Sequence, residues 1–374
     1  MSDSPLSSSS PFADGLSPSP QVQTGMTKRR LRWLVPTACV GLIFVALLGS
    51  VWGIALDTVH DVPTAERFFD PRRSPTFDET CVVAAIDYAL SSNEANDVVF
   101  LGDSACRTGV DPVAFERLSG LRAYNLGIVG DLGPGVMLNI GKAYLSKHPA
   151  PRLMVVCLSP VGLEHDVPWY WIKLRDHFVN CFGFDTQNAG SLQSHLGYTF
   201  RQGTVLAWDR AESRFSEKSQ DVRDLPLIGM EKVTYRQYET LTRQKRGHFE
   251  LSGHGPPKNL DRPGGLVLIH KAWDAGLRRL AQACDNARIP LMVRFCPVSA
   301  DATEKLSFER VEHWLRDLQT ASSHLLVAPD QTILRYAPEL CWDYSHANPQ
   351  GTQKFTEQLA REVRAALPAP GKPR

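Results

Sequence analysis

No Cys-x-x-Cys pair occurs in this sequence: its eight cysteines (Cys39, Cys81, Cys106, Cys157, Cys181, Cys284, Cys296 and Cys341) are scattered along 374 residues. That spacing excludes zinc-ribbon and thioredoxin-like sites, which need closely spaced thiols. Cys39 lies in an apolar stretch, so seven cysteines remain outside it and at least one stays unpaired. Buried reduced thiols, packing as small hydrophobes, are the main expectation. One or two disulfides are the alternative in an oxidising compartment.

A charge excess is missing too. Lys and Arg number 41 against 40 Asp and Glu, a formal net charge of +1. Phosphate-backbone recognition needs a clear basic excess, so a nucleic-acid partner is not expected. Gly133-Pro134-Gly135 reads as a turn, because the Lys-Ser/Thr of a phosphate loop does not follow it. His254 and His270 lack metal-ligand spacing, and no internal repeat is visible. Neither a metal nor a cofactor is expected.

What the sequence does contain begins with an abrupt change of character. Residues 1–32 are rich in Ser, Pro, Gly, Asp and Gln, a composition that buries too little apolar surface to offset ordering, and read as a disordered tail. From Trp33 to Leu56 there are 24 residues without a charge. At 1.5 Å per residue such a helix spans a hydrocarbon core of ~30 Å. Residues 33–56 are therefore expected to form one transmembrane helix. A cleaved signal peptide is the competitor, but its apolar region is usually ~7–15 residues and lies close to the N-terminus. Lys28, Arg29, Arg30 and Arg32 precede the span, and Asp57 and Asp61 follow it. The positive-inside rule then places the tail in the cytoplasm and the rest outside, periplasmic or at the cell surface.

Residues 57–95 read as a linker with a leading helix near Glu79–Ser91, and 96–366 as one domain closed by a short tail, 367–374. Apolar runs at 97–101, 121–126, 153–158, 289–295 and 324–328 read as strands. Helical patterns at 111–119, 135–147, 266–287, 303–320 and 349–366 fall between and after them. This alternation predicts an α/β domain with a parallel sheet covered on both faces. Between about 162 and 262 the pattern deteriorates into mixed aromatics, charges and Gly/Pro, expected to be a partly helical insertion. Its Trp169–Trp171 cluster fits either a packed core or a sugar-stacking surface.

Two short segments carry chemistry. Ser104 follows a strand directly, in Val99-Phe100-Leu101-Gly102-Asp103-Ser104, where catalytic groups of parallel sheets gather. A serine hydroxyl needs an adjacent base, and capping the next helix is the plainer role for it. Just before the last helix stands Trp342-Asp343-Tyr344-Ser345-His346. A carboxylate and an imidazole three residues apart can share one side of a turn. Asp343 would then orient one ring nitrogen of His346 and leave the other to take the serine proton.

These blocks resemble those of the SGNH/GDSL hydrolase superfamily. Gly102-Asp103-Ser104 matches the first block, and Asp343 with His346 matches the Asp-x-x-His of the last, with Asn348 and Gly351 in keeping. Asn125-Leu126-Gly127-Ile128-Val129-Gly130 looks like the second block, Asn-x-x-x-x-Gly. The resemblance covers about 96–165 and 266–360. It implies a three-layer flavodoxin-like parallel sheet behind one transmembrane helix, with Ser104 as nucleophile, His346 as base and Asp343 as its orienter. It also implies an oxyanion hole made by the Ser104 and Gly130 N–H groups. The chain departs from the family at the third block, where Leu158-Ser159-Pro160-Val161-Gly162-Leu163 holds no Asn. The hole is then one donor short, or Ser159 or Arg107 replaces the missing group. In this respect the sequence is similar to membrane-tethered polysaccharide O-acetylation and D-alanyl-transfer proteins. The resemblance implies an extracytoplasmic serine esterase or acyltransferase. It would act on carbohydrate or cell-envelope esters, with a membrane-bound acyl-donor protein as partner. The alternative is a degenerate domain that binds glycan or scaffolds an envelope complex.

Overall fold

The computed structural model describes residues 36–46, 49, 76–91, 93–128, 133–164, 235–251, 264–320, 322, 325–327 and 333–367. They belong to two units, residues 1–53 and 54–374. In the first, residues 36–46 are helical, and Val40, Leu42, Ile43, Phe44 and Val45 are exposed. Among the described residues no helix is long and apolar enough to cross a membrane. The tail at 1–32 and the rest of the span at 33–56 lie outside the described residues, as do most of the linker, 368–374, and 165–234 and 252–263 of the insertion.

The second unit is built on five apolar segments whose residues are too hydrophobic for a solvated sheet face. β1 (Val98–Gly102), β2 (Ala123–Asn125), β3 (Leu153–Leu158), β5 (Leu291–Phe295) and β8 (Leu325–Val327) form one parallel sheet in the order β2-β1-β3-β5-β8. Counting only these strands in chain order, the sequence across the sheet is 2-1-3-4-5, compatible with a flavodoxin-like fold. Every residue of β1, β3 and β5 is buried, as expected of a sheet covered on both faces.

Alternation along β1 divides the core. Val99 and Leu101 join Met154, Val156 and Val293 under α1 (Phe77–Ser91), α4 (Gly133–Lys147), α6 (Lys271–Ala287) and α7 (Glu309–Thr320). Val98 and Phe100 join Val155 and Cys157 on the other face. There they meet α2 (Ser104–Gly109), α3 (Pro112–Ser119) and α8 (Pro349–Ala366). Each large side chain buried in these layers contributes ~1.5–3 kcal/mol. The sequence thus gives an α/β unit with a parallel five-stranded sheet between helical layers.

Local chemistry sets where helices begin. Asp111 caps α3 by accepting from Val113 N (2.9 Å) and Ala114 N (3.2 Å), with Pro112 in the first turn and Gly120 (φ +73°) closing it. Asn348 caps α8 by accepting from Gly351 N at 3.0 Å, again with a proline in the first turn. Two helices start later than the periodicity predicts. α6 begins at Lys271 rather than 266, because Gly265–Leu266 (β4) pairs with Leu306–Ser307 (β7) and His270 caps the helix. That pairing also delays the helix expected from 303, and α7 begins at Glu309. Leu367, expected to open the terminal tail, is the buried C-cap of α8. Val298–Ser299 (β6) and Arg335–Tyr336 (β9) form a second small parallel pair. Within the expected insertion, the described residues include α5 (Tyr235–Gln244).

Candidate active site

β1 ends at Gly102, the point where close approach is required. A Cβ there would collide with Cys157 O of β3 and with Cys106 Cβ of α2, so only glycine lets the chain turn from strand to helix at this depth. Asp103 then caps α2: its Oδ1 accepts from Ala105 N (3.0 Å) and Cys106 N (3.3 Å). Its Oδ2 accepts from Ser159 N, just beyond β3, at 2.7 Å. The cap takes the N–H groups of Ala105 and Cys106 and leaves Ser104 half-buried at the helix start. β1 and β3 flank the point where the strand order reverses, the usual ligand crevice of such sheets.

The loop after β2 is fastened to this turn. Asn125 Nδ2 donates to Cys106 O (2.9 Å) and Val110 O (3.0 Å), and its Oδ1 accepts from Gly127 N (2.8 Å). Ile128 N donates to Gly102 O at 2.9 Å. Gly127 lies so near the backbone of Arg107 that a Cβ would come within 2.7 Å of its nitrogen. Gly130, the expected second oxyanion donor, is outside the described residues.

The other half of the site is the turn between a 3-10 segment, Pro338–Leu340, and α8. Asp343 is its hub. Oδ1 accepts from Ser345 N and His346 N, both at 2.7 Å, the pattern by which Asp favours tight turns. His346 Nδ1 lies 2.9 Å from Asp343 Oδ1 and 2.8 Å from Oδ2. His346 Nε2 lies 2.8 Å from Ser104 Oγ. With Nδ1 donating to the carboxylate, Nε2 is the acceptor for the serine hydroxyl. Trp342 packs edge-on against the ring, with centroids 6.4 Å apart.

Electrostatics follow from these contacts. Burial works against ionisation of Asp343, but the His346 hydrogen bond and charge and the two backbone N–H groups outweigh it and hold the carboxyl below its usual range. Burial likewise opposes charge on His346; the hydrogen bond and charge of Asp343, with Asp103, prevail and raise it above 6.5. Asp103 goes the other way: burial pushes it up to about 6, against the Ser159 N–H and His346. The arrangement can deprotonate a serine hydroxyl and carry the proton on an imidazole braced by a carboxylate.

Ser104, Asp343 and His346, expected from sequence to act together, are thus within hydrogen-bond reach of one another in the order Ser–His–Asp. Arg107, one candidate for the missing third-block donor, is directed elsewhere: Nη1 donates to Gly127 O (2.8 Å) and Cys81 O (3.4 Å), and Nη2 to Tyr238 OH (2.7 Å). It pins α1 and α5 to the Ser104 helix. Ser159, the other candidate, is buried, with its N–H on Asp103 and its Oγ without a hydrogen-bond partner. His270 is satisfied as the α6 cap, accepting from Ala272 N at 3.3 Å; His254, Cys181 and Trp169–Trp171 are outside the described residues. None of the seven described cysteines is in a disulfide, and all but Cys39 are buried. Among the described residues no cluster could hold a metal ion. The tie from Asp103 to Ser159 was missed by sequence reasoning, since nothing in either segment announces a partner across the sheet.

No protein-family model matches the chain, and no curated protein matches it significantly.

Proposed function

We propose that this chain is an SGNH-type serine esterase or O-acyltransferase acting on carbohydrate or cell-envelope esters. We further propose that residues 33–56 anchor it to a membrane with the domain on the extracytoplasmic side. The observation that carries the reading is the hydrogen-bond chain from Ser104 Oγ through His346 to Asp343, assembled at the strand-order reversal of a parallel sheet. A serine that merely capped a helix would need no imidazole at 2.8 Å, oriented by a carboxylate on its far nitrogen.

In this reading Ser104 Oγ attacks the acyl carbonyl as His346 Nε2 takes its proton. The carbonyl π pair moves to oxygen, and an oxyanion forms near the Ser104 N–H, which Asp103 leaves uncapped. Gly130 N–H is the proposed second donor. Collapse expels the alcohol, which leaves with the proton from His346, and Ser104 is left acylated. A sugar hydroxyl or water then gives its proton to His346 and attacks the acyl-serine carbonyl; on collapse the acyl C–Oγ bond breaks, and Ser104 Oγ leaves with the proton from His346. Two preorganised donors supply several kcal/mol at the oxyanion. The third block without its Asn favours transfer over hydrolysis, and a membrane-bound acyl donor suits an anchored domain.

The test is reaction of the full-length chain with a fluorophosphonate probe and an activated acetyl ester. Labelling and an acyl adduct on Ser104, both absent in Ser104→Ala, support the reading. A folded wild type that neither labels nor turns over more ester than Ser104→Ala overturns it in favour of a glycan-binding or scaffold domain.

A further inference from the structure

Asp103 uses a single carboxylate on two elements. Oδ1 starts the Ser104 helix through Ala105 N and Cys106 N; Oδ2 reaches across to Ser159 N at the exit of β3. The residue is only 4% exposed. Serine, threonine or asparagine would cap a short helix without carrying a full charge into the interior. Capping alone therefore does not account for a carboxylate here; Asp103 directly precedes Ser104, whose Oγ lies 2.8 Å from His346 Nε2, so its charge is carried close to the imidazole.

We infer that Asp103 is a positioning residue of the Ser104–His346 pair: it fixes the serine turn against the exit of β3 and supplies, beside Asp343, a second negative charge to the imidazolium. This rests on the proposed roles of Ser104 as nucleophile and His346 as base. Among the described residues, Asp343, the neutral Ser345 hydroxyl and Trp342 meet the ring from its own turn, and the neutral Ser104 hydroxyl, with Asp103 next to it in sequence, from the turn after β1. The β3 exit offers Asp103 the neutral Ser159 N–H; burial pushes the Cys106 and Cys296 thiols up, while against burial their hydrogen bonds, with Arg294, hold Cys157 down to about 5. Two carboxylates thus share the positive charge that His346 gains when it takes the serine proton. Protonating Asp103 removes one of them, so the strength of the base is tied to the state of the serine's own cap.

The test is histidine-selective NMR of the full-length chain, following His346 (assigned with His346→Gln) against pH in wild type, Asp103→Asn and Asp103→Ser. Serine is itself a good cap, so Asp103→Ser keeps the helix start while removing the charge. Loss of a nearby charge should lower the His346 midpoint by about half a unit or more in both variants. The acid limb of fluorophosphonate labelling should move to lower pH by the same amount. A midpoint and acid limb unchanged in a folded variant overturn the inference even if labelling slows, because a purely structural cap alters rate without altering titration. Should neither variant fold, the wild-type curve decides. A second inflection in the His346 signal as Asp103 titrates supports the coupling, and a single smooth curve overturns it. A wild type that titrates but never reacts with the probe sinks the nucleophile reading instead, so the two failures are distinct.

Discussion

Ser104 and His346 stand 242 residues apart in sequence and are fixed in place by contacts of opposite character. The serine turn is held from a distance. Gly102 is in register with Cys157 of β3, Asn125 clamps Cys106 O and Val110 O, and Thr352 Oγ1 of α8 donates to Thr108 O at 3.0 Å. The histidine turn is held mostly from within: Asp343 collects the Ser345 and His346 N–H groups, Trp342 N donates to His346 O (2.8 Å), and Cys341 pairs with Ala347. Its ends are closed through Asn348, whose Nδ2 donates to Glu339 O at 2.6 Å, and among the described residues its one backbone tie to a distant element is Ser299 N of β6, which donates to Tyr344 O at 3.0 Å. The geometry of the proposed nucleophile therefore depends on the sheet, whereas that of the proposed base depends chiefly on its own turn. Perturbing the first should cost stability, and perturbing the second should cost chemistry more than stability.

The largest effect expected is on the shared atom. Ser104→Ala removes the hydroxyl and leaves a half-buried methyl, so ester turnover should fall to background, a loss on the order of 10⁶-fold, with an unchanged melting curve. A drop in stability beside the loss of activity would mean that the hydroxyl also has a structural role, and the comparison would blur.

Next comes Asp343→Asn. Its Oδ1 still accepts from Ser345 N and His346 N, so the turn should survive, but Nδ2 now presents hydrogens to His346 Nδ1 and favours the wrong tautomer. A loss on the order of 10⁴-fold is expected, far larger than the loss of stability from the missing carboxylate–imidazole pair. The pH dependence has a definite sign. Wild-type His346 is raised above 6.5, and only its neutral form accepts the serine proton, so the rate should climb as pH rises through that raised value. Removing the carboxylate lowers the midpoint, and the acid limb should move to lower pH as the plateau falls. An unmoved limb would dissociate Asp343 from the base. Stability follows the same shifts. The His346 contribution is complete below 6.5 and is lost as pH rises through the raised value, while that of Asp343 is present above 3.8 and is lost as pH falls through its depressed value.

How much of this was legible in the sequence tracks the same division. The Asp-x-x-His turn is local, so residue spacing alone predicted it. The apolar runs that became β1, β3 and β5 were equally plain, because buried parallel strands need little but hydrophobicity. The supports of the serine turn were not legible in this way. The Asp103–Ser159 bond joins residues brought together only by strand order, and the sequence around Arg107 does not encode its bonds to Gly127 O and Tyr238 OH, which the fold alone supplies. The starts of α6 and α7 were misplaced for the same reason: two-residue pairing between β4 and β7 overrides helical periodicity, and it appears in neither segment alone. Asn125, by contrast, was flagged by resemblance, but the two carbonyls it satisfies are visible only in the fold.

On the stability side, Gly102→Ala is the sharper probe. The new methyl collides with backbone, Cys157 O, which cannot swing aside without parting β1 from β3. Overpacking of this kind costs about 3 kcal/mol, read from denaturant unfolding, and activity should be lost only as far as the fold is lost. A variant of wild-type stability with a dead site would show that the serine turn can deform independently of the sheet, contrary to the comparison.

The smallest effect is expected from Ser345→Ala, and it tests whether the histidine turn is as self-sufficient as its hydrogen bonds imply. The Ser345 hydroxyl is 3.4 Å from Asp343 Oδ1 and 3.2 Å from His346 Nδ1, both long, and both acceptor and ring already have shorter partners. The contact that matters, Ser345 N to Asp343 Oδ1 at 2.7 Å, is backbone and survives the substitution. Loss of so weak a hydroxyl contact should cost under about 1 kcal/mol. The labelling rate should change by less than about fivefold, the kinetic equivalent of that energy. A larger fall with the His346 midpoint unchanged would mean that the hydroxyl steers the ring. In that case the base, like the nucleophile, depends on side-chain support that the Asp-x-x-His spacing does not encode.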